Sequence, residues 1–280
     1  IPYNFNSTGD DGDAGKIFHQ LYFRQAMQLL VNEKSSIGTV YRGYGYPTYG
    51  PVPVGPKNRF GTVERKHYPY QPDTKKAVSL LKRHGWRVVA NAVDTCVHPG
   101  SGLRECGRGI PAAAQLDFDL QYSAGSSALV KLLSIEKSQW AKAGIKVNLI
   151  QAPAATVATD AIACTGGTGC SWELEDSGAG SNFVADYYPN GRTLFFTGSR
   201  EDLGSYSSPI TDNLIQQTEH TAVSLKYFVH YLAEQVPVVF QPDPPSVFYE
   251  VDRQLRGVVP LNPLGNDTPE NYYFVAKRSH

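Results

Sequence analysis

The sequence predicts the α/β class, bordering on α+β, and three observations carry that reading. Leu116-Asp117-Phe118-Asp119-Leu120-Gln121-Tyr122 and Ile145-Lys146-Val147-Asn148-Leu149-Ile150 both alternate apolar with polar residues, the period of a strand. Between them, Ser126 to Ala143 sets Leu129, Leu132, Leu133 and Trp140 on one helical face, with Gly144 as its stop. Strand, helix and strand in that order make a right-handed crossover between parallel strands. Helical patterns flank this unit on both sides, and no internal repeat is visible.

The elements follow in order along the chain. Residues 1–16 read as loop. Asp10, Asp11 and Asp13 invite comparison with a calcium loop, but counting from Asp11 puts Gly15 on a ligand position and Tyr22 where the closing glutamate belongs. Ile17 to Val31 reads as one helix, with Leu21, Ala26, Leu29 and Leu30 at helical spacing. A short helix follows from about Lys34 to Arg42, then turn and extended chain from Tyr44 to Pro53. Pro72-Asp73 opens a helix over Thr74 to His84, with Ala77, Leu80 and Leu81 inward and Gly85 ending it. Residues 88–115 form an excursion before the crossover unit. After it, Asp212 to Gln217 starts a helix, Ser224 to Gln235 forms another, and Val236 to Phe240 reads as a short apolar strand. From Tyr249 on, short strands alternate with Pro and Gly turns.

With 280 residues and 30.7 kDa the chain can bury a sizeable core in one or two domains. Lys+Arg and Asp+Glu balance at 26 each, so no global field steers it to nucleic acid or an acidic membrane surface. No apolar run reaches the roughly 18 residues of a membrane helix. The opening Ile1-Pro2, without Met, reads as a processed chain or a fragment. Cys96, Cys106, Cys164 and Cys170 fall as two close pairs in Gly-rich loops. Their gaps do not suit zinc, and His98 is the only histidine near a pair. Two local disulfides, Cys96–Cys106 and Cys164–Cys170, are the simplest reading, although four cysteines allow three pairings. Disulfides imply an oxidising compartment outside the cytoplasm.

No nucleophile elbow, phosphate-binding loop or histidine pair at metal spacing occurs, so neither catalysis nor a cofactor is expected. Glu173, Glu175 and Asp176 read as a solvated acidic loop rather than an acid–base pair, because nothing in the sequence fixes their geometry. Asn182-Phe183-Val184-Ala185-Asp186-Tyr187-Tyr188-Pro189-Asn190-Gly191 gathers three aromatic rings around one carboxylate and closes in turn chemistry. An acid flanked by ring faces suits a cationic or amphipathic ligand, while a turn-capping carboxylate is the plainer reading of Asp186.

Several segments together carry a resemblance. Leu21-Tyr22-Phe23-Arg24-Gln25-Ala26-Met27, Tyr44-Gly45-Tyr46-Pro47, Tyr70-Gln71-Pro72-Asp73-Thr74-Lys75-Lys76-Ala77 through Gly85-Trp86, Asp186-Tyr187 with Pro189, and Tyr206-Ser207-Ser208-Pro209 before Asp212 resemble, in that order, the family 5 extracellular solute-binding proteins. These are the oligopeptide- and dipeptide-binding proteins of ABC importers. The resemblance implies a type II periplasmic-binding-protein-like lobe, a mixed sheet flanked by helices. It implies a non-catalytic, monomeric receptor that closes on a peptide or similar small solute and delivers it to a membrane permease. The receptor would sit in the periplasm or, lipid-anchored, on the outer face of the cell membrane. Asp186 takes the position that pairs with a ligand α-amino group, with Phe183, Tyr187 and Trp172 as apolar walls. Family members are about twice this length, so residues 1–240 are expected to be the second lobe and 241–280 the return segment that completes the first. A secreted hydrolase and a surface adhesion module are the alternatives. The hydrolase lacks a nameable nucleophile–base pair, and a compact surface without a cleft would favour the adhesin.

Overall fold

The computed structural model describes residues 1–7, 12–52, 68–163, 170, 172–178, 190–218, 222–244, 252–258 and 269–275. The N-terminal helices are α1 (Ala14–Phe18), α2 (Leu21–Leu29), α3 (Glu33–Val40) and α4 (Thr74–Arg83). The Asn32 and Asp73 side chains cap α3 and α4, accepting from the Ser35 and Lys76 backbone N–H groups. Gly85, at φ +79°, ends α4 as expected.

The expected single helix from Ile17 to Val31 is broken at His19–Gln20, where Gln20 turns extended (ψ 113°). The aromatic core gives the reason. Phe18 and Phe23 both pack on Phe118, with ring centroids 5.0 and 5.4 Å apart. Five residues apart on an unbroken helix, they would point about 140° away from each other. The break brings both rings to one partner.

Next comes an antiparallel ribbon of β1 (Trp86–Arg87) and β2 (Thr95–Cys96), and the Cys96–Cys106 disulfide closes its loop. The crossover unit is β3 (Asp117–Ser123), α5 (Ser127–Ala141) and β4 (Lys146–Ala152). The strands are parallel in register from Asp117 opposite Lys146 to Ser123 opposite Ala152, as the sequence pattern requires. Ser126 caps α5 by accepting from the Leu129 N–H, and the Leu129, Leu132, Leu133 and Trp140 stripe is buried. Trp140 Nε1 donates to the Met27 carbonyl at 3.2 Å, locking α5 to α2.

Helix α6 (Ala154–Ala163) and strand β5 (Leu174–Asp176) follow, then α7 (Arg192–Phe195), α8 (Pro209–Thr218), α9 (Ala222–Gln235) and a terminal ribbon of β6 (Leu255–Arg256) and β7 (Tyr273–Phe274). Strand β5 runs parallel to β3 on the side away from β4, giving the order β4-β3-β5. Beyond β5 the sheet continues in single antiparallel bridges, Tyr3 to Leu174 and Pro2 to Val238. The mixed sheet with flanking helices matches the expected lobe architecture. The apolar segment from Val236 to Phe240 is extended, but it contributes this one bridge rather than a full strand.

Candidate functional site

The acids dismissed above as a solvated loop form strand β5 and its approach. Glu173 and Glu175 are buried, the latter 3% exposed. Leu174 sits between the Tyr3 segment and β3, and this tertiary burial overrides the poor strand preference of Glu and Asp. Both faces of the strand are covered, so its alternation separates two buried sides rather than inside from outside.

A cleft of about 830 Å³ opens at the carboxyl end of this sheet. Its walls are Glu175, Asp176 and Gly178 leaving β5, the rings of Tyr3, Phe5 and Tyr206, and the segment Val239 to Pro244. The crevice beyond the carboxyl ends of parallel strands is where open α/β sheets take ligands, because chain ends and loops diverge there. Phe5 and Tyr206 meet at 5.5 Å between ring centroids, making an aromatic wall.

The cleft is acidic. Glu175, Asp176, Glu201, Asp202 and Asp243 line it, against Arg200 and the buried Ile1 amine, which donates to the Val239 carbonyl at 2.8 Å. Burial, helped by the neighbouring Asp176, raises the Glu175 carboxyl to about 7. Burial also raises Asp202 to about 7 and Asp243 to about 6. Asp202 is structurally employed, its Oδ1 accepting from the Tyr206 N–H at 2.9 Å. Glu175 differs, because its Oε1 is buried with no hydrogen-bond partner. Behind it Glu136, fully buried, is raised to about 8 by burial, with Oε2 accepting from Gln241 Nε2 at 3.0 Å and Oε1 left open. Buried carboxyl oxygens without partners are rare and costly. A cationic group entering this cleft would complete the Glu175 oxygen with a charge-assisted hydrogen bond.

The residues singled out from sequence stand as follows. Asp186, Phe183 and Tyr187 lie outside the described residues. Trp172 is buried against Leu203 and Cys170, its carbonyl accepting from Asn4 Nδ2 at 2.9 Å. Leu203 lines the cleft, so Trp172 stands one side chain behind the wall. The Cys96–Cys106 bridge is present, with Cα atoms 6.0 Å apart. Cys170 is also disulfide-bonded, and Cys164 lies outside the described residues. Among the described residues, no three His, Cys, Asp or Glu side chains are grouped to hold a metal ion. No described helix is long and apolar enough to cross a membrane. Glu175 was the missed residue. Its signal was the Trp172-Glu173-Leu174-Glu175 alternation, a strand period in a stretch too short and too acidic to stand out.

Comparison with known proteins agrees with this architecture. Residues 2–189 match the family model described as bacterial extracellular solute-binding proteins, family 5 Middle. No curated protein matches. Among solved structures, the oligopeptide-binding protein AppA from Bacillus subtilis, in complex with a nonapeptide, is similar with a TM-score of 0.64 at 16% identity, over 94% of this chain and 49% of that one. An oligopeptide-binding protein from Thermus thermophilus, complexed with a pentapeptide, gives 0.66 at 17%, over 95% and 44%. NikZ from Campylobacter jejuni, in complex with Ni(L-His), gives 0.60 at 15%, over 95% and 47%. At these identities the likeness establishes the fold, and the chain spans about half the length of the structures it matches. With the family match covering well over half its residues, the chain belongs to the bacterial extracellular solute-binding proteins of family 5, which bind solutes without catalysis.

Proposed function

We propose that this chain is one lobe of an extracytoplasmic receptor that captures a cation-bearing small solute, such as a peptide with a free amine, in an interlobe cleft and hands it to an ABC permease. The carrying observation is the Glu175 carboxyl, which lines the cleft, is buried, and has an oxygen without a partner. A desolvated carboxylate binds an ammonium more strongly than one in water, because little solvent screens the pair. Asp186, Phe183, Tyr187 and Trp172 remain ligand contacts on the strength of the sequence. Residues 1–240 act as the second lobe and 241–280 as the return to the first. The exposed rings of Tyr273 and Phe274 in the terminal ribbon support this, since a partner lobe would cover such a face. The receptor works as a monomer, either in the periplasm or lipid-anchored at the outer face of the cell membrane, without nucleic acid.

Titration calorimetry of the two-lobed protein with an amine-bearing peptide tests the reading. Glu175→Gln should weaken binding by about tenfold or more, the scale of a charge-assisted bond lost to a buried acceptor. Affinity should rise from about pH 6 to pH 8 as the Glu175 carboxyl, raised to about 7, gives up its proton. Unchanged affinity and no pH dependence would remove Glu175 as anchor. Asp186→Ala in the same assay decides whether the sequence-marked acid shares the role.

A further inference from the structure

The disulfide-closed excursion gathers the opposite charge from the cleft. Lys82 and Arg83 end α4, Arg87 lies in β1, and Arg104 and Arg108 flank the Cys106 half of the bridge. All of these side chains are exposed, and none forms an ion pair among the described residues. The loop rests directly on the end of α4, since a β-carbon on Gly85 would meet the Arg104 carbonyl oxygen at 3.0 Å. Two acids lie among these cations: Asp94 is buried, and Glu105 is half-buried and accepts from the Gly102 N–H at 2.6 Å, so the exposed cations outnumber the partly exposed acid. At the tip Leu103 is 88% exposed, with Val97 and Val89 also exposed nearby. Tyr22 holds the base of the loop, with its hydroxyl donating to the Cys106 carbonyl and accepting from Trp86 Nε1 at 2.7 Å.

We infer that this knob docks on an anionic lipid bilayer, with Leu103 entering the interface and the surrounding cations meeting lipid phosphates. An exposed leucine on a loop that carries exposed arginines, resting on elements that carry more, is the chemistry of interfacial insertion, and juxtamembrane cations each add to attraction by an anionic leaflet. A protein partner would instead call for acceptors and donors at set positions, and this surface offers dispersed cations around one apolar tip. The placement also suits a membrane-side contact. Thr95 bridges Gln115 just before β3 begins, whereas the cleft opens at the carboxyl end of β5, which runs parallel to β3. The knob and the cleft therefore occupy opposite ends of the sheet.

Vesicle flotation of the whole chain tests this inference. At low ionic strength the protein should float with phosphatidylcholine vesicles containing phosphatidylglycerol, and not with phosphatidylcholine alone. About 0.5 M salt should release it, because screening then acts within a few ångströms. Arg104→Glu with Arg108→Glu should lower partitioning on the order of tenfold or more. Leu103→Ser should lower it several-fold without changing the salt dependence. Unaltered near-UV circular dichroism would show both variants folded, and solute affinity should not change. No flotation with anionic vesicles, equal flotation with neutral ones, or full binding by the charge-reversed variant would overturn the inference. Binding seen only with membranes that carry protein would also overturn it and assign the knob to a membrane protein.

Discussion

Gly144 sits at φ +74° at the end of α5, and a β-carbon there would come within 1.8 Å of Asp94 Oδ1. That oxygen accepts from the Val89 N–H at 2.8 Å and closes the loop between β1 and β2, while the Asp94 N–H donates to the Gly144 carbonyl at 2.9 Å and ties the excursion to the end of α5. Gly198 has the same φ of +74°, but nothing lies within 4 Å of the β-carbon position. The two glycines form a matched pair. Gly198→Ala should cost only the left-handed backbone penalty, about 1 kcal/mol. Gly144→Ala should cost clearly more, on the order of 2–4 kcal/mol, because Asp94 must also move. Urea denaturation of both variants measures the difference, and equal midpoints would show that Asp94 adapts freely. Gly144 was legible as a helix stop from sequence, but its closeness to Asp94 was not, since they are brought together only by tertiary packing. Glu175 was illegible for a related reason. Nothing in a run of acids says that one of them will be enclosed by a β-bridge to residue 3, far away in the chain.

At the scale of elements, the strong periodic patterns transferred almost intact. Strands β3 and β4, helix α5 and the caps at Asp73 and Ser126 each rest on local spacing that the structure keeps. Misreadings arose where a long-range contact won. The break before α2 serves Phe118, which lies beyond the excursion. Helix α6 was passed over because Thr and Val interrupt its alanines, although alanine is the strongest helix former. The Cys96–Cys106 bridge was the simplest of three pairings open to four cysteines, and the structure keeps it. Cys96 and Cys106 are 10 residues apart, and closing so short a loop restricts the unfolded chain by about 2–3 kcal/mol in the chain-entropy account. Cys96→Ser with Cys106→Ser should therefore lower Tm by several degrees in calorimetry. No change in Tm would mean that the Tyr22 contacts alone hold the loop.

Across the whole molecule, formal neutrality conceals separated charge: acids in the cleft and behind it, cations on the knob. Composition reported only the sum, so the basic face could not be seen until the fold placed its residues together. The buried acids also set the response to pH. Glu136 at about 8, Glu175, Asp94 and Asp202 at about 7, and Asp243 at about 6 all keep their protons longer when folded than when unfolded. Between the ordinary carboxylate range and these raised values, unfolding releases protons, so each increase in pH favours the unfolded chain. His19 and His84, lowered mainly by burial, oppose this below the ordinary histidine range, but they are more exposed, and the buried Ile1 amine, lowered by burial, opposes it up to about 8 as one group against five carboxyls. The expected outcome is a higher Tm near pH 6 than near pH 8, and differential scanning calorimetry across that window checks the sign.

Another consequence follows from the edge of the sheet, where the Ile1 carbonyl accepts from the Val239 N–H at 2.8 Å. Residues 1 and 239 lie on adjacent threads, so the chain between them is a detour that returns to its starting point. A host protein could carry such a detour within one of its own loops while giving up little chain freedom, since the ends already lie side by side.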